Sequence, residues 1–113
     1  MRFLLLVNND PQVPLAAPDE RMYAEMGAFV EELSKQGVLL ATGGLEQGGT
    51  RVRSTGGEVT FTDGPFTEAK EVVMSFALLD VRDRAEAIEL SRRFWRIVGD
   101  GVGEIRQVFG PES

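Results

Sequence analysis

Residues 63–71 have the sequence DGPFTEAKE, and the longest apolar run of the chain, VVMSFALLDV at residues 72–81, follows them directly. Gly64 is free to adopt a positive φ, whereas Pro65 fixes φ and lacks an N–H, so this start predicts a rigid turn that places the ring of Phe66. The β-branched and aromatic content of residues 72–81 predicts a central strand. We interpret Gly64, Pro65 and Phe66 as architectural residues.

A second strand with two apolar faces is predicted at residues 2–7. Phe3, Leu5 and Val7 alternate with Leu4 and Leu6, so each side of this strand carries large apolar side chains. Residues 72–81 share this property. Strands of this kind need cover on both faces of their sheet.

Two helices are predicted between the strands. Asp19 begins the first helix as an N-cap, and Gly37 ends it as a left-handed C-terminal cap. One apolar stripe along this helix is predicted to face the core: Met22, Met26, Phe29, Val30 and Leu33. Asp83, followed three residues later by Glu86, begins the second helix, which extends to about Ile97.

A β-hairpin is predicted between the two halves of the chain, with strands at residues 50–54 and 58–62 and a turn at 55–57. Alternation places Val52, Val59 and Phe61 on one face of the hairpin. The other face carries Arg51, Arg53, Thr60 and Thr62. Two further strands are predicted at residues 38–42 and 104–109.

The order is therefore β-α-β, a hairpin and β-α-β, within a single domain of residues 1–113. This order predicts an α+β, ferredoxin-like fold with two helices on one face of an antiparallel sheet. The other face has apolar residues and no helix, which predicts a homodimer with sheets face to face. The alternative is that the loop at residues 9–18 or 43–49 folds over the sheet.

Composition restricts the chemistry. The chain has 113 residues, no cysteine and no histidine, so disulfides, thiolate sites and a catalytic histidine are excluded, and we expect neither metal nor cofactor. A net charge of −6 opposes binding to nucleic acid. No stretch is apolar enough for a membrane span, and residues 3–7 are too short for a signal-peptide core, so we expect a cytoplasmic protein.

The sequence resembles the YCII-related proteins of the DGPF type. Residues 63–71 are the most specific part of this resemblance, which also rests on residues 1–7, 37–45, 51–53 and 103–106. It implies a dimeric α+β barrel, in agreement with the homodimer predicted from the two-faced strands. It also implies a connection with extracytoplasmic-function sigma factors, near which members of this type are often encoded.

The chain departs from the wider YCII group at one functional position. Some relatives are thought to pair a helix histidine with an aspartate, and counting back from Gly37 places that histidine near Met26. Because this chain has no histidine, the resemblance does not supply that pair of catalytic residues.

Asp63 is the best single candidate for chemistry. A turn carboxylate beside an apolar ring is suited to act as a general base, although an Asp-Gly turn that accepts local N–H groups is the structural alternative. Arg51, Arg53 and Lys70 are candidates to hold the carboxylate of a small organic acid, or to form ion pairs with Glu68 or Glu71 instead. Tyr23 would reach a pocket with its hydroxyl or pack against the helix stripe.

Two functional hypotheses follow. The first is a homodimer that binds a small metabolite or a regulatory protein partner without turnover, since the histidine is absent and the architectural residues are present. The second is a cofactor-free isomerase or lyase that acts on a small organic acid, with Asp63 as general base. A purely structural dimer module differs from the first hypothesis in having no pocket.

Overall fold

The computed structural model describes residues 1–64 and 72–110, and Pro65, Phe66 and Lys70 lie outside this range. Its elements follow the order predicted from the sequence. They are β1 (Arg2–Asn9), α1 (Glu20–Lys35), β2 (Leu39–Gly44), β3 (Thr50–Thr55), β4 (Glu58–Asp63), β5 (Val72–Asp80), α2 (Arg84–Val98) and β6 (Val102–Val108). No helix in the described part of the chain has the length and apolar character that a membrane span needs.

Four strands form one antiparallel sheet in the order β2-β5-β1-β6. The two strands with two apolar faces, β1 and β5, are the central pair, so each has a hydrogen-bonded neighbour along both of its edges. The fold is therefore α+β, with two helices and the strand order of ferredoxin-like proteins, as predicted. The hairpin β3–β4 is a separate two-stranded sheet.

The helix ends follow the predicted capping chemistry. The Asp19 carboxylate accepts a hydrogen bond from the Met22 N–H at 2.8 Å, and the Asp83 carboxylate accepts one from the Glu86 N–H at 2.9 Å. Gly37 has a φ of 72°, which confirms the left-handed residue after α1. In a capping box the Glu86 carboxylate would accept a hydrogen bond from the N–H of the N-cap residue Asp83. Here it accepts one from the N–H of the preceding residue, Arg82, at 3.3 Å.

Every strand except β5 extends beyond its predicted bounds at one end. Strand β1 continues to Asn9, because Asn8 and Asn9 pair with the start of β5 after a bulge. Strand β6 begins at Val102 instead of Glu104, since Val102 pairs with Asn8 across the sheet. Gly103 is therefore part of this strand.

The core lies between the helices and one face of the sheet. Phe3 and Leu79, which pair across β1 and β5, are almost fully buried together with Val81 and with Ala87 of α2. The stripe predicted along α1 is confirmed, because all five of its residues are buried or half-buried. We call this side of the sheet the helix-facing side.

The opposite side of the sheet, which we call the open face, is not covered by a helix from residues 1–64 or 72–110. By register it carries Leu4 and Leu6 of β1, Phe76 and Leu78 of β5, and Glu104 and Arg106 of β6. The four apolar members are half-buried.

Candidate functional site

A cavity of about 80 Å³ lies between the two helices and the helix-facing side of the sheet. Its helical wall is formed by Met26, Phe29, Val30, Leu33, Leu90, Phe94 and Trp95. Leu5, Val7, Ala77 and Leu79 contribute from the sheet. The apolar stripes of the two helices face the sheet, and their side chains therefore surround an apolar space.

Polar groups in the cavity wall are few. They come from Thr42, Ser75 and Ser91, together with Glu104 of β6, which borders the cavity although strand alternation places its side chain on the open face. The Thr42 hydroxyl donates to the Phe76 carbonyl oxygen at 2.9 Å. Of the described residues that line this space, none carries a positive charge. The wall is therefore suited to a small apolar molecule that makes one or two hydrogen bonds.

An ion pair joins the two helices that enclose the cavity. Arg93 of α2 donates two hydrogen bonds to the Glu32 carboxylate of α1, at 2.7 and 2.9 Å, and its guanidinium lies 4.8 Å from the ring centroid of Phe29. The hydrogen bond lowers the pKa of Glu32 and raises that of Arg93. Bidentate geometry of this kind holds the two helices in a defined relation.

A second polar cluster lies on the open face. The buried Asn8 side chain donates from Nδ2 to Glu104 Oε1 at 3.0 Å, and Arg106 Nε donates to Glu104 Oε2 at 2.7 Å. These two hydrogen bonds lower the pKa of the Glu104 carboxyl, and the bond from Asn8 has the larger effect. Asn8 Oδ1 is buried and has no hydrogen-bond partner among the described residues. Such an atom needs a donor from outside the described part of the chain.

The structure separates the residues predicted to share a catalytic site. Asp63 is exposed at the end of β4, where its carboxylate accepts from the Thr50 hydroxyl at 3.0 Å. Strand alternation places Asp63 on the face of the hairpin that carries Phe61. Arg51 and Arg53 lie on the other face, so the hairpin does not bring them to Asp63. The proposed roles of these residues stay predictions.

Of the remaining predicted site residues, Tyr23 and Gly64 are described, and neither lines the cavity. Tyr23 is exposed on α1 and neither lines the cavity nor packs in the core, so the packing favoured by the sequence is not seen. Gly64 closes the base of the hairpin by donating from its N–H to the Gly49 carbonyl at 2.7 Å. Lys70, Pro65 and Phe66 lie outside the described residues.

Sequence reasoning assigned the cavity residues to the core and did not predict a cavity. One signal was present at Met26, where the wider YCII group is thought to have a histidine, because Met26 lies in the cavity wall. Trp95 of α2 also lines the cavity.

The fold and this site define an α+β protein of the ferredoxin-like class, with an apolar cavity between its helices and its sheet. The chain belongs to the YCII-related domain family, which it matches over residues 1–110, and this match confirms the resemblance to YCII-related proteins. It is also similar to an uncharacterized protein from Rhizobium meliloti (strain 1021). The two are 30% identical over 97 residues, which cover 81% of this chain and 78% of that protein.

Proposed function

We propose that this chain is a homodimeric YCII-related protein of the DGPF type that binds a small, neutral, mainly apolar molecule without turnover. The ligand occupies the cavity between the helices and the sheet, and the open face forms the dimer contact. The observation that carries the ligand proposal is the apolar cavity wall, with Met26 at the position where the wider group is thought to have a histidine.

The chemistry of the wall favours a neutral ligand over an organic acid. Transfer of a carboxylate into an apolar space costs several kcal/mol or more unless a cation or several donors receive it. The described cavity residues offer three hydroxyl-bearing side chains and no cation, and the one charged residue at the border, Glu104, is negative and would repel an acid. The volume of about 80 Å³ is well below the ~150 Å³ of an apolar cavity that takes up benzene, which favours a very small molecule.

The surface area of the single chain supports the dimer. The chain exposes 8018 Å², whereas a compact monomer of 12.4 kDa would expose about 6,100 Å². The radius of gyration, 16.3 Å, also exceeds the ~13 Å expected for a compact domain of this length. The excess area of about 1,900 Å² is more than the ~800 Å² that one partner buries in an interface of standard size. A second copy that covers the open face would remove part of this excess.

The ligand proposal predicts that isobutanol binds and that isobutyrate, its acid counterpart, does not. In a two-dimensional NMR titration, isobutanol is expected to shift the amide signals of Ser75 and Ala77, which line the cavity. Ala77→Leu should abolish these shifts, because the added side chain occupies the cavity. Asp63→Asn is the control and should leave them unchanged. Isobutyrate shifts at Asp63 and Arg51 that disappear in Asp63→Asn would instead support the acid-directed enzyme.

The dimer proposal predicts that Leu78→Glu raises the dimer dissociation constant by about tenfold or more, because a buried interface receives an unpaired charge. Leu78 lies on the open face in the central strand β5. Analytical ultracentrifugation over a range of concentrations measures the effect. Tyr23→Glu adds the same charge on the exposed side of α1 and should leave the constant unchanged. Monomeric wild-type protein at all concentrations would rule out the dimer.

A further inference from the structure

One face of the hairpin β3–β4 carries three large apolar side chains, with Thr50, Ser54 and Asp63 beside them, and nothing in the described part of the chain covers it. We call it the apolar face. Val52 lies directly opposite Phe61 across the two strands, and Val59 is the next residue along the same face. Their exposed fractions are 58%, 68% and 51%. The other face is polar and carries Arg51, Arg53, Glu58, Thr60 and Thr62. The hairpin is therefore amphipathic, as a strand pair with one buried face would be.

The hairpin is preformed but is not part of the main sheet. Gly56 and Gly57, with φ values of 60° and 81°, form the two-residue turn that suits a tight hairpin, and the Gly64 N–H closes its base. All twelve residues of its two strands are exposed. A hairpin that stands alone in water is only marginally stable, so a partner surface is needed to hold this one.

We propose that the hairpin is an arm that places Val52, Val59 and Phe61 on a second copy of this chain. The inference rests on the proposed dimer and adds a second contact to the open face. The longest dimension of the chain is 46 Å, whereas the nine residues of β5 span only ~30 Å, in agreement with an arm that projects from the sheet.

The amount of exposed surface favours a second copy as the occupant. The excess area of about 1,900 Å² is more than twice the ~800 Å² that one partner gives to a standard interface, so more than one surface of the chain is available for burial. In a two-fold symmetric dimer the arm of each chain contacts the other chain, so the apolar face of the hairpin is buried twice in one interface. The polar face of the arm stays in water.

Photocrosslinking of the full chain tests the arm. Phe61→p-benzoylphenylalanine keeps an aromatic side chain on the apolar face, and Thr60→p-benzoylphenylalanine places the same group on the polar face. Isotope-labelled and unlabelled chains are mixed, so mass spectrometry distinguishes crosslinks between chains from those within one chain. We expect crosslinks between chains from position 61 and few from position 60. Crosslinks within one chain, or equal yields from both positions, would overturn the inference.

Ultracentrifugation separates failure of the arm from failure of the dimer. Phe61→Asp should raise the dimer dissociation constant roughly tenfold or more, and Thr60→Asp should leave it unchanged. An unchanged constant in Phe61→Asp, with Leu78→Glu still dissociating the dimer, would refute the arm and leave the dimer in place. A monomeric wild-type protein would refute both.

Discussion

Replacing Phe3 with alanine is expected to lower the free energy of unfolding by about 3–5 kcal/mol. The Phe3 side chain is 0% exposed and packs with Leu79, Val81 and Ala87 at the centre of the core. Removal of its ring loses the transfer free energy and leaves a cavity between β1 and α2. Because the total stability of a domain is typically ~5–15 kcal/mol, this single change removes a large share of it.

Phe109→Ala provides the matched control, since Phe109 is 81% exposed just beyond β6. Its effect should be within about 0.5 kcal/mol. Urea denaturation followed by circular dichroism measures both variants, at one fixed protein concentration because dimerisation contributes to the apparent stability. Equal midpoints for the two variants would show that the core is not centred on Phe3.

The order of elements could be predicted because the signals that determine it are local. The apolar faces of β1 and β5 require cover on two sides, and these strands are the central pair of the sheet. The spacing of Phe29 and Leu33 in α1, and the caps at Asp19 and Asp83, depend only on residues nearby in the chain. These features fix the type and order of the elements.

The face of the hairpin on which Asp63 lies was not predicted, although the alternation of side chains along β4 determines it. Asp63 was interpreted as a turn residue, whereas it is the last residue of β4 and lies two positions after Phe61. Strand alternation therefore puts these two residues on one face and Arg51 on the other. The predicted strand ends at residue 62, whereas β4 includes Asp63. Because Asp63 belongs to the strand, alternation determines the face on which its carboxylate lies.

The cavity could not be predicted from the sequence. Periodicity shows which side of α1 faces the sheet, but not how completely the side chains fill the space between them. The cavity depends on how Met26 and Phe29 of α1 meet Phe94 and Trp95 of α2. Those contacts join residues far apart in the chain, and no local pattern specifies the distance between the helices.

Gly103→Ala is expected to destabilise the protein by about 3 kcal/mol, because an added Cβ has no room. It would overlap the carbonyl oxygen of Leu6 and lie 2.9 Å from Cζ2 of Trp95. The carbonyl belongs to the backbone of β1, which pairs with β6 at this point, so relief requires movement of a strand. The same movement would displace Trp95 from the cavity wall.

Gly27→Ala provides the control for this substitution. Gly27 lies within α1, and nothing is within 4 Å of an added Cβ. Alanine there should raise the free energy of unfolding by about 0.5–1 kcal/mol, because it is the better helix former. Denaturation midpoints that move in opposite directions for the two variants are the expected result. If Gly103→Ala is as stable as the wild type, β1 and β6 are not held as close together at this point as the structure shows.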